Sequence, residues 1–366
     1  TSFFSEHGYV VVGGVLDEAR CDATVDEFWE SPSFLGSRPG LRRDDPSTWG
    51  NDVWPAGSRN FLDPLEPCAE VETWRNRVCA QVRRVFEALW RGLGQADNRL
   101  VSSVDRVGIM RPTRLGSGGR EVVQRPEWRT SRNWLHWDQN PWQSPGFEAM
   151  QGLLGLSPAT SSSGGFVTVP GFHREFAEWG SRWPEGSIPK RTRTMIPFPV
   201  PMEDEMQGRR QKILVPRGAL LVWDSRMPHE NFPNEGEGWR MVQYVTAKRL
   251  SQELLRSRVA AWHAGLRTGL VPTTLARRLS VQEQVWLAMV ASEADGDLQD
   301  LRAAMAAGDA LSEEKLEAAR RLRRAYRLKQ TAISPEELKE ASELFRSAFA
   351  TNPELKLPLQ SVAAAE

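Results

Sequence analysis

The stretch Asn133-Trp134-Leu135-His136-Trp137-Asp138 decides how the chain is read. It predicts a strand, and on a strand residues i and i+2 project from one face. The imidazole of His136 and the carboxylate of Asp138 then point the same way, with Trp137 turned to the other side. A His-x-Asp pair arises often by chance, so its meaning depends on what lies downstream. His229 stands 93 residues on (229 − 136 = 93), after the buried-looking run Gly218-Ala219-Leu220-Leu221-Val222-Trp223-Asp224. Two imidazoles and one carboxylate can occupy one face of an octahedral metal and leave three positions open, the arrangement of non-haem Fe(II) oxygenases. Eleven residues later (240 − 229 = 11), Arg240 opens the strand Arg240-Met241-Val242-Gln243-Tyr244-Val245. A guanidinium fixed there can hold a carboxylate through two parallel hydrogen bonds.

Three further stretches extend the pattern. Phe3-Phe4-Ser5-Glu6-His7-Gly8-Tyr9-Val10-Val11-Val12 reads as a short helix, a Gly-Tyr junction and a strand. Gly164-Gly165-Phe166-Val167-Thr168-Val169-Pro170-Gly171-Phe172-His173 is a glycine-led strand ending in Pro-Gly-x-His, and Pro216-Arg217-Gly218 begins the run to His229. Together with the His-x-Asp pair they resemble the phytanoyl-CoA dioxygenase family of Fe(II)/2-oxoglutarate oxygenases, over roughly residues 3–250. The resemblance implies a double-stranded β-helix, or jelly roll. It implies His136, Asp138 and His229 as iron ligands and Arg240 as the partner of the distal carboxylate of 2-oxoglutarate. Relatives often carry a hydroxyl residue two positions after the second histidine to assist that arginine. Here the position is Asn231, whose amide can still donate. Gln151, opening the strand after the iron motif, matches a place where relatives sometimes contact the cosubstrate. Halogenating relatives lack the carboxylate ligand, so Asp138 favours hydroxylation or a related oxidation.

The rest of the chain is consistent with that frame. Strands are expected at Val104–Met110, Gln151–Leu156, Gly165–Val169, Lys212–Val215, Ala219–Trp223 and Arg240–Ala247, a density of short strands and Gly/Pro turns typical of a sandwich or small barrel. Val71–Leu93 reads as one amphipathic helix, with apolar residues at helical spacing. After about residue 250 the sequence turns to Ala-, Leu-, Glu- and Arg-rich helices. Ser280-x-x-Glu283 and Ser334-Pro335-Glu336-Glu337 carry the capping-box pattern. Gly308 reads as a helix stop, and Ser312 starts a basic helix running to about Gln330. The expected architecture is a mainly β jelly-roll, cupin-like core with N-terminal helices in residues 1–250, followed by a helical C-terminal extension in 251–366.

Of 366 residues, 47 are Lys or Arg and 47 are Asp or Glu, so no overall field draws nucleic acid or an acidic membrane surface. No apolar run reaches the ~18–20 residues of a membrane span. Three cysteines are too few for a disulfide framework and point to a reducing, intracellular compartment, the cytoplasm first. An organelle address is left open, because the chain opens at Thr1. Arg106, Arg111, Arg114, Arg120, Arg125, Arg129 and Arg132, with Lys190, Arg191, Arg193, Arg209, Arg210 and Lys212, form basic loops that read either as solvated surface or as a rim for an anionic substrate. Arg111, at a strand end, is the candidate among them for holding a carboxylate. Trp134, Trp137 and Trp142 read as core before substrate platform. His173 reads as a backbone-bonded turn residue, and His7 and His263 as surface or packing residues. The resulting expectation is a dioxygenase using Fe(II), 2-oxoglutarate and O2 to oxidise a small organic substrate, with release of succinate and CO2. The residues alone leave three alternatives open: a cupin-like metal-dependent isomerase or hydrolase, a non-catalytic metal-binding module, and an oxygenase acting on a macromolecule.

Overall fold

Short apolar strands separated by turn residues build two antiparallel sheets. In the computed structural model the described residues are 1–30, 40–54, 71–94, 100–103, 105, 107–116, 122–186, 198–249, 251–331 and 335–356. The expectations placed on Cys68, Val104, Arg106, Arg120, Lys190, Arg191, Arg193 and Ser334, and on the side chains of residues 326–331, lie outside them. The strands are β1 (Tyr9–Val12), β2 (Leu100–Ser102), β3 (Val107–Met110), β4 (Arg114–Leu115), β5 (Val123–Gln124), β6 (His136–Trp137), β7 (Ala149–Gly155), β8 (Gly165–Thr168), β9 (Phe198–Pro199), β10 (Gln211–Ile213), β11 (Leu220–Asp224), β12 (His229–Phe232), β13 (Arg240–Tyr244) and β14 (Ala247–Arg249). The helices are α1 (Ser2–His7), α2 (Glu18–Glu30), α3 (Val71–Val78), α4 (Ala80–Gly92), α5 (Phe176–Arg182), α6 (Gln252–Arg267), α7 (Thr273–Arg277), α8 (Val281–Trp286), α9 (Asp295–Asp309), α10 (Glu313–Thr331) and α11 (Pro335–Thr351).

The chain divides into two compact units, one drawn from residues 1–64, 75–98 and 105–247, the other from 65–74, 99–104 and 248–366. In the first, a major sheet runs β1-β11-β7-β13-β3 and a minor sheet runs β10-β8-β12-β6-β9. These are the two faces of the expected jelly roll. Alternation along each strand sends Leu153, Leu221, Trp223 and Val242 into a shared core with Phe166 of the minor sheet. Full burial of each such aliphatic side chain stabilises the fold by about 1.5–3 kcal/mol. On α4, Val82, Phe86, Leu89 and Trp90 are buried. A Cβ on Gly152 would meet the Phe86 ring at 3.1 Å, so the missing side chain sets how closely helix and β7 approach.

Several local expectations change. The helix expected over Val71–Leu93 is broken at Cys79, whose φ of −53° and ψ of 129° are not helical, although the apolar periodicity runs straight through. Only His136 and Trp137 of the motif pair as a strand, and Asp138 lies in the bend that follows. His229 follows the turn after β11 as expected and opens β12, a strand whose sequence His-Glu-Asn-Phe lacks apolar alternation. Gly308 sits inside the last turn of α9, which continues to Asp309.

The second unit is helical apart from β2 and β14, which pair with one another. Trp74 packs edge-on against Trp262 with ring centroids 5.5 Å apart. The Ser280–Glu283 capping box is present in full at the start of α8. Among the described residues no helix is long and apolar enough to cross a membrane.

Candidate metal centre

Strand register brings the distant histidines together. His229 is the cross-strand partner of His136 between β12 and β6, and the two rings lie 4.5 Å apart. Asp138 closes the group: its Oδ1 is 3.6 Å from His136 Nε2 and its Oδ2 is 3.5 Å from His229 Nε2. The ligand atoms of all three lie within 4.8 Å of one another. This is the set read from the sequence.

Both imidazoles are turned the same way. Nδ1 of His136 is 3.2 Å from the Trp134 carbonyl, and Nδ1 of His229 is 3.2 Å from the Met227 carbonyl. A carbonyl can only accept, so each neutral ring carries its proton on Nδ1 and presents the Nε2 lone pair beside Asp138. Aromatic neighbours hold the rings in place. Trp134 stacks on His136 at 5.2 Å and 19°, and Phe166 stacks on His229 at 5.9 Å and 19°. Desolvation raises the Asp138 carboxyl, and where the imidazoles are protonated on Nε2 their hydrogen bonds and charge reverse this, holding it well below the usual carboxylate range. A carboxylate ionised between two Nε2 lone pairs is a donor set that fits iron.

Arg240 lies on β13, buried and in register with Met110 of β3. Burial lowers its pKa, while the Tyr244 hydroxyl, bonded to it, pulls the other way. Its Nη1 is buried without a hydrogen-bond partner among the described residues. An unmet buried donor on a charged group is costly, and Arg240 is one of the residues lining a cavity with Leu153, Gly164, Phe166 and Val242. A Cβ on Gly164 would collide with Met110 Sδ and stand 3.2 Å from Arg240 Cγ, which explains the glycine that leads into β8. Asn231 donates to the Tyr244 hydroxyl at 3.4 Å. The orphaned nitrogen fits a carboxylate ligand such as 2-oxoglutarate.

Two other candidates take different places. Gln151 donates its amide to Asp138 Oδ2 at 2.6 Å and accepts from Trp223 Nε1 at 3.0 Å. The Arg111 guanidinium lies 5.2 and 5.0 Å from the ring centroids of Trp54 and Trp128 and donates to the Trp49 carbonyl and Asn51 Oδ1. Burial lowers its pKa to about 10. The described hydrogen bonds of Arg111 thus run into a tryptophan-lined wall, not to the histidines. Loop arginines meet carboxylates: Arg129 and Arg132 pair with Glu235, and Arg209 pairs with Glu175. His173 bonds the Ser5 carbonyl at 3.1 Å, and His263 the Met289 carbonyl at 2.9 Å. Trp223 and Tyr244 received no role from the sequence. Their signal is position, inward on strands and facing residues that were already candidates.

Comparison with known proteins follows the same lines. The family model described as phytanoyl-CoA dioxygenase matches residues 4–242. A putative phytanoyl-CoA dioxygenase of Dictyostelium discoideum is 24% identical over 280 residues, covering 66% of this chain and 73% of the relative. Ava biosynthesis cluster protein O of Aspergillus versicolor is 24% identical over 252 residues, covering 66% and 74%. Among solved structures, EvdO2 of Micromonospora carbonacea var. aurantiaca complexed with 2-oxoglutarate matches at 14% identity and TM-score 0.42, covering 68% of this chain and 89% of that one.

Proposed function

Because the chain belongs to the phytanoyl-CoA dioxygenase family, we propose that it hydroxylates a small organic molecule at a carbon–hydrogen bond. At the coarser level it is an iron- and 2-oxoglutarate-dependent enzyme of the oxygenase type. The observation that carries the finer reading is Asp138, seated between the two histidine Nε2 atoms. A full set of three protein ligands favours hydroxylation over halogenation, in which a halide takes the carboxylate's place.

Bound iron with 2-oxoglutarate and dioxygen would supply the oxidising power, with release of succinate and CO2. The protein's own part is placement and exclusion of water. His136, Asp138 and His229 would hold the metal from one side. Arg240, backed by Tyr244 and Asn231, would hold the distal carboxylate of the cosubstrate. Phe166, Leu153 and Val242 line the cavity beside Arg240 with apolar surface, which would strengthen the pairing of that carboxylate with a guanidinium.

The test is succinate release from 2-oxoglutarate in the presence of iron, screened against panels of small metabolites for stimulation. The expected result is turnover that a substrate stimulates and that Asp138→Ala abolishes. A parent enzyme that binds iron but never consumes 2-oxoglutarate would overturn the reading in favour of a metal-dependent isomerase, hydrolase or binding module. A stimulating substrate that leaves halogenated or dehydrogenated would overturn hydroxylation alone.

A further inference from the structure

Gln151 and Trp223 stand directly opposite one another across the β7–β11 pair, and both project into the space between the sheets. The Trp223 indole N–H donates to Gln151 Oε1 at 3.0 Å, and Gln151 Nε2 donates to Asp138 Oδ2 at 2.6 Å. An amide in water flips freely between its two ends. Here it cannot, because the flipped amide would set its oxygen against a carboxylate and its NH2 group against an indole donor. The indole therefore dictates which end of Gln151 faces Asp138. Trp223 also packs against the second histidine, its ring 5.3 Å from that of His229 and 4.6 Å from that of Phe166.

Asp138 needs such help. It lies in the bend after β6, outside the ladder that fixes His136 and His229. Its side chain is 47% exposed, against 8% for His136 and 12% for His229. No backbone pairing among the described residues restrains its carboxylate. We propose that Gln151, oriented by Trp223, is a positioning residue that fixes the rotation of the Asp138 carboxylate, capping Oδ2 and presenting Oδ1 as the metal donor. The chain Trp223–Gln151–Asp138 thus carries information from the major sheet to a ligand contributed by the minor one. This inference rests on the metal-centre reading above and adds to it a second sphere that sets metal affinity. Outer partners of this kind typically change metal affinity by about 10–100-fold when removed.

The test uses the full chain and Co(II) alone, with dissociation constants from isothermal titration and the visible absorption of bound cobalt as a signature of the ligand field. Gln151→Leu keeps the side chain's size and removes both hydrogen bonds. Trp223→Phe keeps an aromatic ring beside His229 and removes only the N–H. The expected result for Gln151→Leu is Co(II) affinity about 10–100-fold weaker with an altered absorption band. Trp223→Phe should shift both in the same direction by less. The double variant should match Gln151→Leu, since Trp223 acts through Gln151. Co(II) affinity and spectrum of Gln151→Leu unchanged from the parent would overturn the inference, even if its melting temperature fell. Losses in the double variant that multiply would overturn the relay through Trp223. A parent that binds Co(II) no better than His136→Ala would instead overturn the metal centre itself. Where Gln151→Leu fails to fold, Gln151→Met supplies the same comparison.

Discussion

The Asn231 amide on β12 donates to the Tyr244 hydroxyl on β13 at 3.4 Å. That bond joins the two sheets beside Arg240, whose guanidinium is bonded to the same hydroxyl. The end of the site proposed to hold an anion is therefore built from both halves of the jelly roll, and a change on either sheet should be felt there.

Arg240→Ala should weaken 2-oxoglutarate binding by about 2–5 kcal/mol, because it leaves a carboxylate desolvated and unpaired. That is roughly 30-fold to several thousandfold in affinity. Arg240→Lys should recover only part, since a point charge does not reproduce the planar fork. Tyr244→Phe should cost about 0.5–1.5 kcal/mol, the worth of one ordinary hydrogen bond. Calorimetric titration of 2-oxoglutarate into the anaerobic metal-loaded protein measures all three. Equal affinities in parent and Arg240→Ala would refute the assignment.

Metal that binds only the native protein stabilises it by mass action. At a free concentration of a hundred times its dissociation constant the gain is about 2.7 kcal/mol. Denaturant unfolding with and without a chelator should show this difference in the parent. Asp138→Ala should show much less of it, and a full gain in that variant would place the metal elsewhere.

Arg111 is expected to matter for stability rather than for ligands. Its loss empties a cage formed by Trp54 and Trp128 and leaves the Trp49 carbonyl and Asn51 without their donor. Unfolding free energy of Arg111→Met should fall by about 2–4 kcal/mol, with Co(II) and 2-oxoglutarate affinities of the folded fraction close to the parent's. A selective loss of 2-oxoglutarate binding would return Arg111 to the cosubstrate site.

His263 links stability to pH. Burial holds its imidazole below the usual histidine range; the Met289 carbonyl pulls it up, and Arg267 pushes it further down. The unfolded chain therefore takes up a proton near pH 6.5 that the native state refuses until lower pH. The stability this gives is complete above that pH and is lost as pH falls through the depressed native value. Urea unfolding between about pH 7 and 5 should show a shallower decline in His263→Gln, whose amide can still donate to Met289. A decline as steep as the parent's would assign the dependence to other groups.

The candidate metal set is legible because His136 and Asp138 share a short motif and His229 follows a buried-looking strand, signals whose chemistry survives without three-dimensional knowledge. The Ser280–Glu283 cap was legible for the same reason: its partners are three residues apart. What escaped depends on register or on backbone detail. Gln151 is thirteen residues from Asp138 and seventy-two from Trp223, and only the β7–β11 pairing shows that it bridges them. Cys79 breaks a helix through its own φ and ψ, while Val71, Trp74, Val78 and Val82 keep a helical rhythm on both sides. The wall around Arg111 gathers Trp49 and Trp54 from one segment and Trp128 from another. A tryptophan-rich composition announces such clusters without saying which arginine they enclose.

Among the described residues β1 is the outermost strand of the major sheet, lying antiparallel along β11 with Tyr9 opposite Trp223 and Val12 opposite Leu220. It is four residues long and half-buried, a blunt margin for a sheet to end on. Behind it, every residue of β11 is buried. Trimming the first dozen residues would strip the cover from an apolar strand with a full row of unpaired backbone groups, a ready template for another chain. Versions of this protein that lack β1 should self-associate more than versions that carry it, which would make β1 a guard against misplaced strand pairing as well as a part of the sheet.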